Sequence, residues 1–218
     1  MTVFTEGRHA AEFLLSEGQG NFSRDNIVIA ASQAIQPGSV LGKRAVEASV
    51  VATASAASGN TGNATIEMGT PAVTSKVKDG RYKGIAVTAT TVRWEDPDGK
   101  EIGTSTHGAP FAKGGIKLTI TAGDDANVPG DEFYVDVAAD ASDFEYGAHD
   151  PDATDGLEVA VAVALYGVTT GADESAKISA ITRLSEVNGK LLVWDEGITP
   201  EQKADAVQAL AERGIIVR

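Results

Sequence analysis

The sequence predicts a mainly β protein with a short C-terminal α-helix, built in two parts. Three observations carry this reading. Short β-branched runs recur between turn residues from Asn26 onward, and no helix start signal occurs in residues 59–139. Helical spacing with signals at both ends is found at residues 199–214. Aromatic residues make up only 6% of the 218 positions, so small apolar residues must fill the interior. That suits thin β layers better than a deep aromatic pocket.

Taken in order, residues 1–26 are polar, glycine-containing and poorly periodic, and read as an arm that is mobile until it meets a partner. Within it "AAEFLL" (10–15) fits either one helical turn or a short strand. "NIVIAAS" (26–32) is a β-branched run, and Pro37-Gly38 is a turn signal before another strand. "AVEASVVATASAASGNTGNA" grades into a small-residue linker around 55–63, which sets a boundary near Ser58. Beyond it "NATIEMGT", "GRYKGIAVTATT", "TVRWEDPDGKEIGTS", "GGIKLTITAG" and "DEFYVDVAA" are short strands at regular spacing. Asp96-Pro97-Asp98-Gly99 marks a hairpin. "KLTIT" and "FYVDV" alternate, so one face of each is solvated. The polar stretch 140–156 ends this module. "LEVAVAVALYG" (157–167), "AKISAITRLSEVN" and "KLLVWD" read as further strands.

The helix has Thr199 as N-cap, Pro200 at its first position and Gln202 completing a capping box. Ala204, Val207, Leu210 and Ala211 form an apolar stripe, Gly214 ends the helix, and "IIV" follows as a buried strand. The expected organisation is an arm (1–26), a base domain (27–58 and 140–218) and an inserted β-sandwich-like module (59–139).

Charge excludes some partners. A formal net charge of -13 repels the phosphate backbone and anionic membrane surfaces, so no nucleic acid and no membrane is expected. Residues 1–20 lack the basic and long apolar regions of a secretory signal, and no apolar run is long enough for a membrane helix. With no cysteine there are no disulfides and no thiolate sites. His9, His107 and His149 lie far apart in loop contexts and read as solvated. No HExxH, GxSxG or phosphate-loop pattern occurs, and Ser105 and His107 sit two apart on an expected hairpin. Asp150, Asp152 and Asp155 miss the EF-hand spacing by one residue and lack its final Glu, and they and the cluster of Asp124, Asp125, Asp131 and Glu132 read as solvated acidic turns. No enzyme activity, cofactor or metal is therefore expected. Trp94 reads as partly exposed beside its acidic hairpin, and Trp194 as core or interface.

Several fragments together carry a resemblance. "EGRHAAEFLLSEGQGNFSRDNIVIA" followed by "IQPGSVLGK" resembles the start of phage head decoration proteins of the lambda type. "EVNGKLLVWDEGITPEQKADAVQALAERGIIVR" resembles their C-terminal end, and "ALYGVTT" (164–170) their middle strand. The resemblance covers residues 4–50 and 140–218, so residues 59–139 depart from it as the inserted module. It implies a capsid-stabilising virion protein, made in the host cytoplasm. Such a protein binds the outer surface of the expanded capsid as a homotrimer at three-fold sites and holds it against internal DNA pressure. It implies that the arm adds a strand to the major capsid protein through Phe4, Glu6, Arg8, Ala10, Ala11, Phe13 and Leu14. Ser23, Arg24 and Asp25 would join arm to body, with Arg8 and Arg24 as ion-pair donors to the capsid. Leu192, Val193, Trp194, Ile215, Ile216 and Val217 would shape the core or the trimer interface. The alternative is a carbohydrate- or host-surface-binding module displayed on a virion through residues 59–139, with a host-surface glycan as its partner.

Overall fold

The computed structural model describes residues 6–218. Its first strands are β1 (Leu14–Glu17), β2 (Arg24–Ile29), β3 (Ala34–Ile35), β4 (Val40–Ala45), β5 (Val51–Ala56) and β6 (Thr65–Val73). Next come β7 (Gly80–Thr88), β8 (Thr91–Glu95), β9 (Glu101–Thr106), β10 (Pro110–Lys113), β11 (Ile116–Thr121) and β12 (Glu132–Ala138). A short 3-10 turn, Ala141–Asp143, leads to β13 (Phe144–Ala148), β14 (Ala162–Ala164), β15 (Val168–Thr169), β16 (Ala176–Ile181) and β17 (Ser185–Val187). Helix α1 (Pro200–Glu212) and β18 (Ile215–Val217) follow. The chain is mainly β with one α-helix near its end, as its sequence predicts.

The chain forms two compact units. Unit 1 takes the sequence up to Arg44 and again from Phe144, and unit 2 runs from Ala45 to Asp143. In unit 1 five strands close a barrel in the order β13-β2-β16-β14-β4. Ile27, Ile29, Leu41, Ala162, Ala164 and Ala180 fill part of it. A three-stranded sheet, β1-β17-β18, packs with α1 over a second cluster that includes Phe13, Val163, Ile181, Val187, Leu192, Leu210 and Ile215. Helix α1 joins two parallel neighbours, β17 and β18, so it is the crossover that a parallel pair requires.

The local helix signals act as expected. Thr199 Oγ1 accepts from Gln202 N at 3.2 Å, and Gln202 Oε1 accepts from Thr199 N at 2.9 Å. Gly214 ends the helix with φ 75. The buried face differs from the expected stripe. Ala206 and Leu210 are buried, while Ala204 and Ala211 face solvent. Alanines occur on every side of this helix, so hydropathy alone cannot choose its inner face.

Unit 2 has a five-stranded sheet, β5-β12-β7-β8-β9, and a three-stranded sheet, β10-β11-β6. Tyr82, Trp94, Phe111, Ile116, Leu118, Ile120, Phe133 and Val135 are its buried side chains of note. The Trp94 ring on β8 stacks on Phe111 of β10 at 6.1 Å between centroids. Alternation along β11 and β12 matches the expectation. The turn after β8 is closed by Asp96, whose carboxylate accepts from Asp98 N and Lys100 N at 3.0 and 2.9 Å.

Four expectations need correction. The boundary near Ser58 falls inside unit 2, because β5 pairs with β12 from Val51↔Ala138 to Ala56↔Phe133. An edge strand of Ala, Ser and Thr looks like a linker until its hydrogen-bond partner is known. "KLLVWD" is not a strand: Val193 makes an isolated bridge to Ser39. Of residues 157–167 only Ala162–Ala164 are strand. Trp94 is fully buried, its Nε1 donating to Ser105 Oγ at 3.0 Å, since the acidic turn beyond it carries the solvated surface instead.

Two measurements check this packing. Trp94→Ala should destabilise unit 2 by about 3–5 kcal/mol in denaturant unfolding. Thr199→Ala, which removes only the cap, should cost about 1 kcal/mol by the same assay.

Candidate functional site

The site proposed by the sequence begins in the first described residues. Residues 6–10 and Glu12 are exposed. They carry a turn rather than a strand: Glu12 N donates to His9 O at 3.4 Å, Leu14 N to Ala11 O at 3.0 Å, and Ala11 has φ 60. Glu6 and His9 pair at 3.0 Å on the surface. Arg8 reaches back, its Nη1 donating to the Leu191 carbonyl at 2.5 Å. Phe4 lies outside the described residues.

From Phe13 the chain belongs to unit 1, which corrects the expected arm of 1–26. Phe13 is 0% exposed in the cluster beneath the three-stranded sheet. Its carbonyl accepts from Asn188 N at 2.7 Å. β1 then runs antiparallel to β17 with an irregularity between Leu14 and Ser16. That irregularity turns Leu15 outward, 54% exposed. "AAEFLL" is thus a turn followed by a strand. Burying the ring offsets part of the chain entropy lost by pinning the residues beside it, and the pairing with β17 adds to that.

Ser23, Arg24 and Asp25 are engaged within the chain. Ser23 is buried, donating to Leu184 O at 2.7 Å and accepting from Gly18 N at 2.9 Å. Arg24 holds Glu17 through two parallel hydrogen bonds of 2.7 and 2.5 Å. Those bonds keep the Glu17 carboxyl below its ordinary range. Asp25 accepts from Thr182 Oγ1 at 2.7 Å and pairs with Arg183. The three residues therefore strap residues 13–25 down.

At the other side of the sheet Leu192 and Ile215 are core, and Ile216 and Val217 are half-buried on the edge strand β18. Val193 N donates to Gly38 O at 2.8 Å, and Val193 O accepts from Val40 N at 3.0 Å. Trp194 packs partly buried against the same cluster, with Lys203 Nζ 5.0 Å from its ring centre. Glu186 on the middle strand accepts from Arg218 and Ser16, which lower its carboxyl. Around it the surface carries exposed Phe22 (60%) and Leu184 (51%), with Arg183 over the Phe22 ring. Sequence reading missed this apolar surface, since a lone Phe or Leu in a polar loop carries no periodic signal.

His149 also departs from expectation. It is 4% exposed, with Nε2 3.2 Å from the Glu158 carbonyl, and burial lowers its pKa. Its backbone is fixed by His149 N donating to Val40 O at 2.9 Å. Asp155 serves as a partner for Arg44 at 2.6 Å. Among the described residues no three His, Asp or Glu side chains gather where they could hold a metal ion. No helix among them is long and apolar enough to cross a membrane.

Comparison with known proteins gives one extensive match. The family model of bacteriophage lambda head decoration protein D matches residues 3–215. No curated protein matches. Two crystal structures of Xanthomonas campestris FlgL, in space groups H3 and C2, are similar at 19% identity over 50% of this chain and 33% of theirs. Their TM-score of 0.32 is too low to carry an argument.

Phe13→Ala should cost about 3–5 kcal/mol in unfolding measurements, marking the point where the segment becomes structural. A pH prediction follows from the histidines. His149 and His107 are held neutral by burial. The unfolded chain takes up those protons near pH 6.5, so stability should fall as pH drops below about 6.5 and level off once the folded groups titrate. A depressed carboxyl such as Glu17 adds to the loss only as pH falls below about 4.5, the ordinary value of a glutamate. His149→Gln should lose less melting temperature than the parent between about pH 7 and about pH 5; an equal loss would assign the effect elsewhere.

Proposed function

Because the chain belongs to the bacteriophage lambda head decoration protein D family, we propose that it is a homotrimeric clamp on the outside of the expanded phage capsid. The family is one of virion structural proteins rather than enzymes, and a decoration protein is expected to bind the major capsid protein. In our reading each trimer sits at a three-fold site and ties neighbouring capsid subunits against internal DNA pressure. A closed three-fold assembly matches a three-fold position on the shell.

The observation that carries the finer reading is the contrast at Phe13. Residues 6–10 and Glu12 are exposed and held by few bonds, and Ala11 only rests on the cluster, whereas Phe13 and the residues after it are locked into unit 1. A short tethered segment with open backbone groups can add a strand to a neighbouring sheet. Ordering it opposes binding, but only over those few residues. Glu6, Arg8 and Ala10 are the contact residues we assign. Phe13, Ser23, Arg24 and Asp25 are assigned instead to anchoring. Many symmetric copies raise the total affinity without any new contact. Made in the host cytoplasm, the protein would join the shell after expansion.

The displayed-module alternative has less to support it. Tyr82, Trp94, Phe111 and Phe133 of unit 2 are all buried, so these rings offer no stacking platform for a sugar.

Binding to expanded capsids stripped of decoration protein tests the clamp. Full-length chain should saturate the shells and raise their melting temperature. A chain lacking residues 1–12 should fold with nearly unchanged unfolding free energy yet lose most shell binding. Binding of both proteins alike would remove the arm from the mechanism, and binding of neither would remove the clamp.

A further inference from the structure

Two large apolar side chains of unit 1 stand in water side by side. Phe22, in the loop between β1 and β2, and Leu184, just before β17, are each more than half exposed. The two segments are joined by hydrogen bonds. Arg183 Nη1 donates to Phe22 O and Ser23 Oγ donates to Leu184 O, both at 2.7 Å.

Leu184 is held there against its own preference. Its φ of 42 lies in the left-handed region, which glycine or asparagine adopts readily and a bulky side chain adopts only with strain. Three bonds impose it. Leu184 N donates to Arg213 O at 3.4 Å, and Leu184 O accepts from Gly18 N at 3.3 Å as well as from Ser23 Oγ. The side chain lies over Gly214, where an added Cβ would come within 2.8 Å of Leu184 Cδ2. Neither the strained backbone nor the wet leucine stabilises the isolated chain. Backbone strain of this kind collects where a contact makes use of it.

The rim is charged and already ordered. Arg24 is held by Glu17 at 2.7 and 2.5 Å. Arg183 pairs with Asp25, and its guanidinium lies 5.9 Å from the Phe22 ring centre. Arg213, whose carbonyl binds Leu184, is exposed beside them. Three arginines thus surround two apolar side chains on a chain whose formal net charge is -13. Aromatic residues and arginine are the types enriched where proteins meet. Rim side chains tied down in advance lose little freedom on contact.

We propose that Phe22 and Leu184, with this arginine rim, form one half of the contact between copies of this chain. The inference rests on the homotrimer reading and assigns it a surface. A ring of three contains no two-fold contact, so each copy must present two different surfaces that fit each other. An apolar surface rimmed by arginines is the complement of an acidic one, and a chain of net charge -13 supplies acidic surface on the neighbouring copy. The same surface set against itself would oppose arginine to arginine, which favours head-to-tail closure over a two-fold dimer.

Sedimentation velocity on the full chain over a range of concentrations tests this. The parent should associate to a trimer. Leu184→Asn removes the leucine and suits the left-handed backbone. Its melting temperature, read where both proteins are monomeric, should equal or exceed the parent's, while its trimer should need about tenfold higher concentration to form. Phe22→Ser and the charge reversal Arg213→Glu should weaken the trimer in the same direction. A parent trimer that all three variants leave intact would overturn this surface while the homotrimer stands. A parent that stays monomeric at every concentration would overturn both. Binding to shells stripped of decoration protein identifies the other occupant. If Leu184→Asn associates as the parent does yet binds shells more weakly, the surface faces the capsid and the assignment to a second copy falls.

Discussion

Unit 1 depends on β17 being paired on both sides. Residues from near the beginning of the sequence, β1, lie antiparallel on one side, and β18 from near its end lies parallel on the other. Only three residue pairs form on each side, which is too little to hold a sheet alone. Phe13 supplies what the ladder lacks, since its buried ring meets the same cluster as Val187, Leu192, Leu210 and Ile215. Sheet, helix and entering segment therefore share one core, and none of them could keep its place if that cluster were opened.

The polar interactions around this sheet act as positioning devices more than as sources of stability. Arg24 with Glu17 is a partly exposed pair worth up to about 1 kcal/mol, and Arg218 with Glu186 is a largely exposed one that adds little. Their geometry nonetheless determines where the segment leaves the unit. Ser23 has a different standing, because its buried hydroxyl satisfies both Gly18 N and the Leu184 carbonyl. It reinforces the direct bond from Gly18 N to Leu184 O at 3.3 Å, so the hydroxyl ties the same two groups a second time.

Unit 2 solves the same problem by other means. Asp131, 4% exposed, accepts from Thr61 N, Gly62 N and Val128 N. Burial pushes its carboxyl up, and the backbone donors outweigh that and bring it down. Asn60 makes a reciprocal pair with the Glu132 backbone at 2.8 and 2.7 Å. Tyr82 closes another loop, accepting from Lys78 N and donating to Gly114 O, both at 2.9 Å. Such ties let a module of small apolar residues keep its loops in place. They also explain why "GNTGNA" and the acidic "AGDDANVPGDE", which look like loose linker and solvated turn, are ordered against each other.

The sequence by itself determined what is local. The capping box at Thr199 and Gln202, the glycine stop at Gly214, the turn at Asp96 and the alternation of β11 and β12 all depend on residues a few positions apart. Those signals act through the backbone of the same segment, so they can be read in one line of letters. The fragments at residues 4–50 and 140–218 also carried the family resemblance. Tertiary structure alone decided the rest. β5 is a strand because β12 lies beside it, and Leu192 is core without being a strand because its neighbour Val193 bridges Ser39. His149 looks like a loop histidine and is buried because Val40, from far along the chain, and the Glu158 carbonyl nine residues on both meet it. The inner face of α1 and the anchoring role of Arg24 are of the same kind. In a chain rich in alanine, serine and small apolar residues, a side chain says little about its partner, and only the partner's arrival sets whether it is buried.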